Sequence, residues 1–263
     1  MKAGFVNIFG KPNAGKSTLL NALKQEKLAI VSPKVQTTRH RIKGILTSDQ
    51  YQIIFSDTPG IIEPKYKLHE KMMQAVKSAL EDADLALLIV DINDNWQEAD
   101  AIFSSLRLKV PSFVLLNKID SVKGDKVEEA RKFFADKKYA NEVIPVSAIS
   151  GQGTESLLEK IVMALPEGEP FYAEDELSDL PTKFFVSEII REKIYTLFEE
   201  EIPYQATVIV NEFKQKSTLM KIRAEIIVQR ESQKAIIIGE GGKMIRQIGT
   251  LARTEIEQFI DQK

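Results

Sequence analysis

The chain has 263 residues, 43% of them hydrophobic, a formal net charge of −2 and no cysteine. This is the composition of a globular protein of one large or two ordinary domains; it excludes disulfides and cysteine-ligated zinc, and it fits a reducing compartment. Charge announces no nucleic-acid partner, because residues 181–263 carry 13 basic against 12 acidic side chains, so any such partner requires a specific site.

Residues 3–9 read as a short buried strand and residues 16–23 as a helix with one apolar face. Between them runs Gly10-Lys11-Pro12-Asn13-Ala14-Gly15-Lys16-Ser17, followed by Thr18. It matches the phosphate-loop pattern G-x-x-x-x-G-K-[ST], in which glycines let backbone N–H groups approach phosphate oxygens. Lys16 then reaches the β- and γ-phosphates of a nucleotide and Ser17 holds Mg2+. Residues 41–46 and 51–55, joined by Thr47-Ser48-Asp49-Gln50, read as a hairpin that supplies one antiparallel edge strand. The string Asp57-Thr58-Pro59-Gly60 follows, at the carboxyl end of a strand, where open α/β sheets hold their ligands. Asp57 is the candidate carboxylate on the magnesium side, although such a tetrapeptide alone is an ordinary turn.

A helix over 67–81, a strand over 84–91, a helix over 96–106 and a strand over 110–116 lead to Asn117-Lys118-Ile119-Asp120. An ionised Asp120 only accepts hydrogen bonds, and guanine offers it two donors on one edge, N1–H and the exocyclic amine. Adenine has a bare N1 there, so the string selects GTP over ATP. A helix over 126–137 and a strand over 143–146 precede Ser147-Ala148, whose backbone N–H groups are expected to face the base oxygen; a helix over 153–165 closes the unit. Strands alternating with helices predict a mostly parallel, doubly wound sheet. His40 and His69, the two histidines, lie in polar stretches and read as surface residues. No apolar run approaches the ~20 residues needed to cross a bilayer, and the amino terminus runs into the phosphate loop rather than a signal peptide, so a cytoplasmic protein is expected.

Residues 166–181, acidic and punctuated by proline and glycine, read as a linker. A helix over 182–201 shows Phe185, Ile189, Ile190, Ile194 and Leu197 on one face. Strands over 206–212 and 221–229, a helix over 232–238, Gly239-Glu240-Gly241-Gly242 and a helix over 243–260 follow. Helix, strand, strand, helix, G-x-x-G and helix is the start of a KH arrangement, whose glycine loop clamps about four nucleotides by their backbone.

The whole chain resembles the Era family of bacterial GTPases. The resemblance rests on GKPNAGKS at 10–17, QTTRH at 36–40, DTPG at 57–60, NKID at 117–120 and residues 236–249 around the glycine loop. It implies a Ras-like P-loop GTPase domain of α/β class over 1–165, a linker over 166–181 and an α+β type II KH RNA-binding domain over 182–263. It implies a monomer that binds GTP and GDP with Mg2+, hydrolyses GTP, holds the 3′ end of 16S rRNA, assists 30S subunit assembly and associates peripherally with the inner membrane. The catalytic set it implies is Lys16, Thr38, Asp57 and Gly60. Thr38, rather than the adjacent Thr37, closes on Mg2+ when γ-phosphate is present, because it directly precedes Arg39. In related GTPases an asparagine at the place of Asn13 helps hold K+ near the β- and γ-phosphates.

Three departures qualify the resemblance. The chain stops at Lys263, whereas Era-like chains usually continue into a further strand, so either the sequence is cut short or that strand is missing, and a KH sheet with an open edge is expected. Glu240 stands where relatives often place lysine, and its carboxylate weakens RNA binding unless Arg230, Lys234, Lys243 or Arg246 offsets it. Ile61 stands where Ras-type enzymes carry the glutamine that orients the attacking water, which predicts slow turnover on the order of 10⁻⁴ to 10⁻² s⁻¹. K+ near Asn13 or Arg39 acting in cis are two sources of the missing help. A hydrolysing switch, a nucleotide-gated RNA clamp with negligible hydrolysis and another translation-associated GTPase of the same branch remain the alternatives.

Overall fold

The structure, a computed structural model, describes every residue except Glu26, Pro33, Val35, Gln36, Tyr66, Thr218 and Lys263. Gln36 of the QTTRH string and the terminal Lys263 therefore lie outside the described residues. Two compact units form, Met1–Ala29 with Val35–Asp179 and Ile30–Lys34 with Leu180–Lys263.

The first unit is built from β1 (Lys2–Phe9), α1 (Lys16–Lys24), β2 (Ile42–Thr47), β3 (Tyr51–Asp57), α2 (Lys67–Glu81), β4 (Leu85–Asp91), α3 (Trp96–Ser105), β5 (Ser112–Asn117), α4 (Gly124–Ala135), β6 (Glu142–Pro145) and α5 (Thr154–Ala164). The strands lie in the order β2-β3-β1-β4-β5-β6. Only the β2–β3 pair is antiparallel, which is the expected doubly wound sheet with its edge hairpin. The central strands are buried along nearly their whole length because helices cover both faces, and Asn7, Gln52 and Ser56 are polar exceptions among their apolar residues. On one face α2, α3 and α4 contribute Val76, Ala79, Ala99, Phe103, Ala130 and Phe134 to a core shared with Phe9, Leu88, Val90 and Val114. Since β1 joins β3 on one side and β4 on the other, the loop after β1 sits at the crevice where strand order reverses, which is where such sheets bind ligands.

Residues 166–179 belong to this unit. Ile45 N donates to Leu177 O at 2.9 Å, Ser178 Oγ donates to Lys43 O at 2.5 Å, and Gln52 Nε2 donates to Tyr172 O at 2.9 Å. The first two bonds cover the outer edge of β2, which would otherwise present unpaired backbone groups, and the third ties the same segment to β3.

In the second unit α6 (Thr182–Leu197) is followed by a short α7 (Ile202–Gln205), β7 (Thr207–Gln215), β8 (Met220–Ile227), α8 (Glu231–Ile238) and α9 (Lys243–Phe259). The helix expected over 182–201 stops at Leu197, where Phe198 turns extended, at φ −122° and ψ 151°, and buries its side chain in the core with Ile194 and Ile202; Pro203 then opens a new short turn. Ile194, Phe198, Ala206, Val208, Ile237 and Ile248 form one core, and Val186, Ile189, Ala252 and Ile256 another. β7 and β8 make a two-stranded antiparallel sheet, so among the described residues β8 has one strand partner. Lys34 belongs here too: its ammonium donates to the carbonyls of Tyr195 and Phe198, each at 2.6 Å, at the negative end of the α6 dipole.

Candidate functional site

The loop after β1 turns on residues in the left-handed region, Asn13 at φ 62° and Gly15 at φ 100°. A Cβ on Gly15 would lie 2.1 Å from Asn117 Nδ2, and one on Gly10 2.5 Å from Ile89 O. Glycine at 15 is therefore required by the base-selecting string as much as by phosphate. Asn117 Nδ2 donates to Ala14 O at 2.8 Å, and Asn117 Oδ1 accepts from Ala148 N at 3.0 Å. One buried side chain thus joins the first string, the third and the Ser147-Ala148 turn. Lys16, buried, donates to Lys11 O at 2.7 Å and Gly10 O at 3.3 Å. Burial pushes its pKa down to about 8 against the pull of Asp57. Lys11 itself points outward and pairs with Asp94 at 3.2 Å and Glu98 at 2.8 Å. Asn13 is exposed, and Thr18 lies half-buried in the first turn of α1.

Ser17 Oγ donates to Asp57 Oδ2 at 2.6 Å, Thr38 Oγ1 donates to the same oxygen at 3.0 Å, and the two hydroxyls are 2.9 Å apart. Asp57 Oδ1 is buried with no hydrogen-bond partner, and burial raises the carboxyl pKa against the lowering effect of Lys16 and the two hydroxyls. A triangle of hard oxygens beside an orphaned carboxylate oxygen fits Mg2+, which takes one or two carboxylates and completes its octahedron with phosphate and water. Among the described residues no cluster of three or more His, Cys, Asp or Glu side chains is placed to bind a metal. Thr58 Oγ1 donates to Ile8 O at 2.6 Å and so fastens the second string to β1. Pro59 and Gly60 are buried, and a Cβ on Gly60 would lie 2.7 Å from Pro12 N. Ile61 N donates to Gly10 O at 3.0 Å while its side chain packs against the core around Phe9 and Val90.

At the base end Asp120 is exposed, and Ser147 Oγ donates to its Oδ1 at 2.5 Å. Lys118, in the left-handed region at φ 66°, pairs with Asp91 Oδ2 at 2.6 Å. The amides of Ser147 and Ala148, expected to face the base oxygen, are engaged by Gln152 O and Asn117 Oδ1. That turn holds the side chains of Asp120 and Asn117 in place.

Around the second-unit loop Gly239, Gly241 and Gly242 all have positive φ, 72°, 56° and 76°, a run that non-glycine residues adopt only with strain. Arg230, Lys234, Glu240, Lys243 and Arg246 are exposed. Arg246 folds back to donate to Gly241 O at 2.5 Å, and Lys234 pairs with Glu231 at 3.4 Å. Arg223 on β8 and Arg253 on α9, absent from the sequence reading, are exposed on the same unit. Among the described residues no helix is long and apolar enough to cross a membrane.

Residues 5–118 match the family profile described as a 50S ribosome-binding GTPase, and residues 201–263 match the KH domain profile. GTPase Era of Thermoanaerobacter sp. strain X514 is 45% identical over 262 residues, spanning 98% of this chain and 87% of its own. GTPase Era of Staphylococcus haemolyticus strain JCSC1435 is 41% identical, spanning 100% of this chain and 89% of its own. A crystal structure of Era with MgGDPNP and nucleotides 1506–1542 of 16S ribosomal RNA matches at TM-score 0.95 and 40% identity, over 100% of this chain and 90% of that one. A variant of Aquifex aeolicus Era bound to GDP·AlF4− matches equally well, at TM-score 0.95 and 40% identity, over 100% of this chain and 91% of that one. Identity of this level across both units, and not the phosphate loop alone, means that the chain belongs to the Era family of GTPases.

Proposed function

We propose that the protein is a GTP-hydrolysing switch that holds the 3′ end of 16S rRNA and assists small-subunit assembly, with residues 1–165 handling the nucleotide and residues 182–263 the RNA. The observation that carries the reading is the pair of bonds from Asn117 to the phosphate loop and to Ala148, which brings the phosphate and base determinants into one pocket. Support for the RNA comes from the relative bound to a 16S fragment and from the positive-φ glycine loop flanked by Arg230, Lys234, Lys243 and Arg246.

In this reading Lys16 leaves the carbonyls of Gly10 and Lys11 for the β- and γ-phosphates, where its charge offsets what builds up in transfer. Ser17, Thr38 and Asp57 hold Mg2+, which when bound neutralises the phosphate oxygens and fixes their orientation. Gly60, packed against Pro12 of the phosphate loop, offers its backbone N–H to the γ-phosphate, while Asp120, bonded by Ser147, reads guanine. Ile61 positions no water. Backbone groups and a cation near Asn13, for which we propose K+, supply that help. Cytoplasmic location, with peripheral membrane association, completes the reading.

The packing of Ile61 into the core also favours a second reading, a nucleotide-gated RNA clamp that hydrolyses negligibly. Single-turnover hydrolysis with and without a short RNA of the 16S 3′-end sequence separates the two. The switch is accelerated by the RNA, and its affinity for that RNA differs between GDP and a non-hydrolysable GTP analogue. A clamp shows the affinity difference without acceleration, and equal affinities in both nucleotides defeat both readings. Equal rates in potassium and sodium buffers remove the role given to K+.

A further inference from the structure

Asn7 sits fully buried in β1 between apolar neighbours, and its amide belongs to a polar network outside the nucleotide site. Asn7 Nδ2 donates to Ala79 O at 2.5 Å and to Asp82 Oδ1 at 2.9 Å. Arg41 forks Asp82, with Nη1 to Oδ2 at 2.6 Å and Nη2 to Oδ1 at 2.8 Å. Arg41 also donates from Nε and Nη2 to Ser56 Oγ at 3.0 and 2.8 Å, and from Nη2 to Asn7 Oδ1 at 3.3 Å. The Arg41 side chain is 13% exposed. A guanidinium held by a bidentate carboxylate, a hydroxyl and an amide oxygen is fixed in position and orientation, unlike a single surface ion pair.

The placement of this lock gives it a role. Successive side chains of a strand point to opposite faces, so Ser56 and Asp57 at the end of β3 face opposite ways. Arg41 grips Ser56 on one face, and Thr38, three residues earlier, bonds Asp57 on the other. Three residues of extended chain span at most about 11 Å, so the stretch 38–41 bends round the end of β3 with little slack. Asp82 directly follows α2, which ties the same lock to the helix that comes after Gly60.

We infer that Arg41, locked by Asp82, Asn7 and Ser56, is the positioning residue for Thr38, a fixed hinge that keeps the Thr38 hydroxyl within reach of Mg2+ when γ-phosphate is bound. The inference rests on the assignment of Thr38 to Mg2+ proposed above. Because Thr38 discriminates the triphosphate state, loosening its hinge weakens GTP binding and spares GDP.

The test uses the full chain carrying Arg41→Gln or Asp82→Asn, with affinities for GDP and a non-hydrolysable GTP analogue and a Mg2+ titration of hydrolysis. Affinity for the analogue is expected to fall about tenfold with GDP affinity within twofold of the parent, and the Mg2+ concentration for half-maximal rate is expected to rise by a similar factor. Arg41→Lys, which keeps the charge and loses the fork, falls between. A merely structural role weakens both nucleotides equally and leaves the Mg2+ requirement unchanged, which overturns the inference. Should Arg41→Gln fail to fold, Asp82→Asn decides alone. Thr38→Ala is measured in parallel. If it leaves the ratio of the two affinities unchanged, the Mg2+ assignment itself fails; if it lowers the ratio while the Arg41 and Asp82 variants do not, only the hinge is refuted.

Discussion

Gly15→Ala tests the claim that the phosphate loop and the base-selecting string are one mechanical unit. The new Cβ would lie 2.1 Å from Asn117 Nδ2, at a residue whose φ is 100°. Forcing a non-glycine residue into the left-handed region costs about 1–2 kcal/mol. Relief of the clash requires Asn117 to leave Ala14 O, 2.8 Å away, and an abandoned buried acceptor costs about 1–3 kcal/mol. If Asn117 rotates fully, the Ala148 amide is stranded as well, for a total of roughly 3–8 kcal/mol, or about two to six decades of nucleotide affinity. Calorimetric titration with GDP measures the loss, and Asn117→Ala gives the cost of the bonds without the clash. The double variant is the sharper comparison: removing the Asn117 side chain makes room for the Cβ, so Gly15→Ala should cost far less in the Asn117→Ala background than alone. Additive losses, or a single Gly15→Ala variant that binds GDP within threefold of the parent, would refute the reasoning.

Asp120→Asn places an amide donor against the two donors of guanine while its own donor suits the 2-carbonyl of xanthine. Competition binding should show GTP weakened by about a hundredfold or more and XTP overtaking it. Lys16, pushed down to about 8 by burial, loses its proton above that pH before phosphate arrives. Nucleotide affinity should therefore be level below pH 8 and fall about tenfold per unit above it, with proton uptake detected by titration in buffers of different ionisation enthalpy. The same shift makes a folding prediction. Since the unfolded lysine titrates near 10.5, this group's contribution to stability is fully present above pH 10.5 and is lost as pH falls through 8.

The nucleotide pocket was legible in the sequence because its contacts come from contiguous backbone: a loop of amides after β1 and a loop of side chains after β5 each leave a local pattern. What joins them did not show. The clash that demands Gly15 arises from Asn117, more than a hundred residues away, and the Arg41 lock is assembled from residues 7, 41, 56 and 82, each ordinary in its own neighbourhood. An amide inside an apolar strand was the one available signal, and buried amides are usually explained by a nearby carbonyl. Residues 166–179 read as a linker because proline, glycine and acidic residues punctuate them, yet a sheet edge accepts any backbone that can reach it, whatever the side chains. The expected carboxyl end of α6 runs too far because Glu199, Glu200 and Glu201 are good helix formers, while burial of the Phe198 side chain, with its backbone extended, accompanies the boundary. The glycine loop was legible as a shape, through the positive φ values that its glycines adopt.

Ile61→Gln is the substitution a comparison with Ras-type enzymes invites, since it restores the water-orienting residue. The geometry argues that it will not accelerate hydrolysis. Ile61 N is tied to Gly10 O at 3.0 Å, Gly60 is pressed against Pro12, and the side chain at 61 points into the core around Phe9 and Val90 rather than across the phosphate loop. A glutamine that follows the isoleucine inward buries an amide without partners, at about 1–3 kcal/mol. One that turns outward gives up the apolar contacts, at a cost of about 1–2 kcal/mol on the scale of a half-buried isoleucine. Either outcome lowers the melting temperature by several degrees and leaves the single-turnover rate within about twofold of the parent, because in the proposed mechanism the charge of Lys16 and a bound cation, not a side chain at 61, offset the developing negative charge. A tenfold gain in rate with unchanged stability would show that this segment swings out when GTP binds and that the packing of Ile61 is no part of the catalytic state.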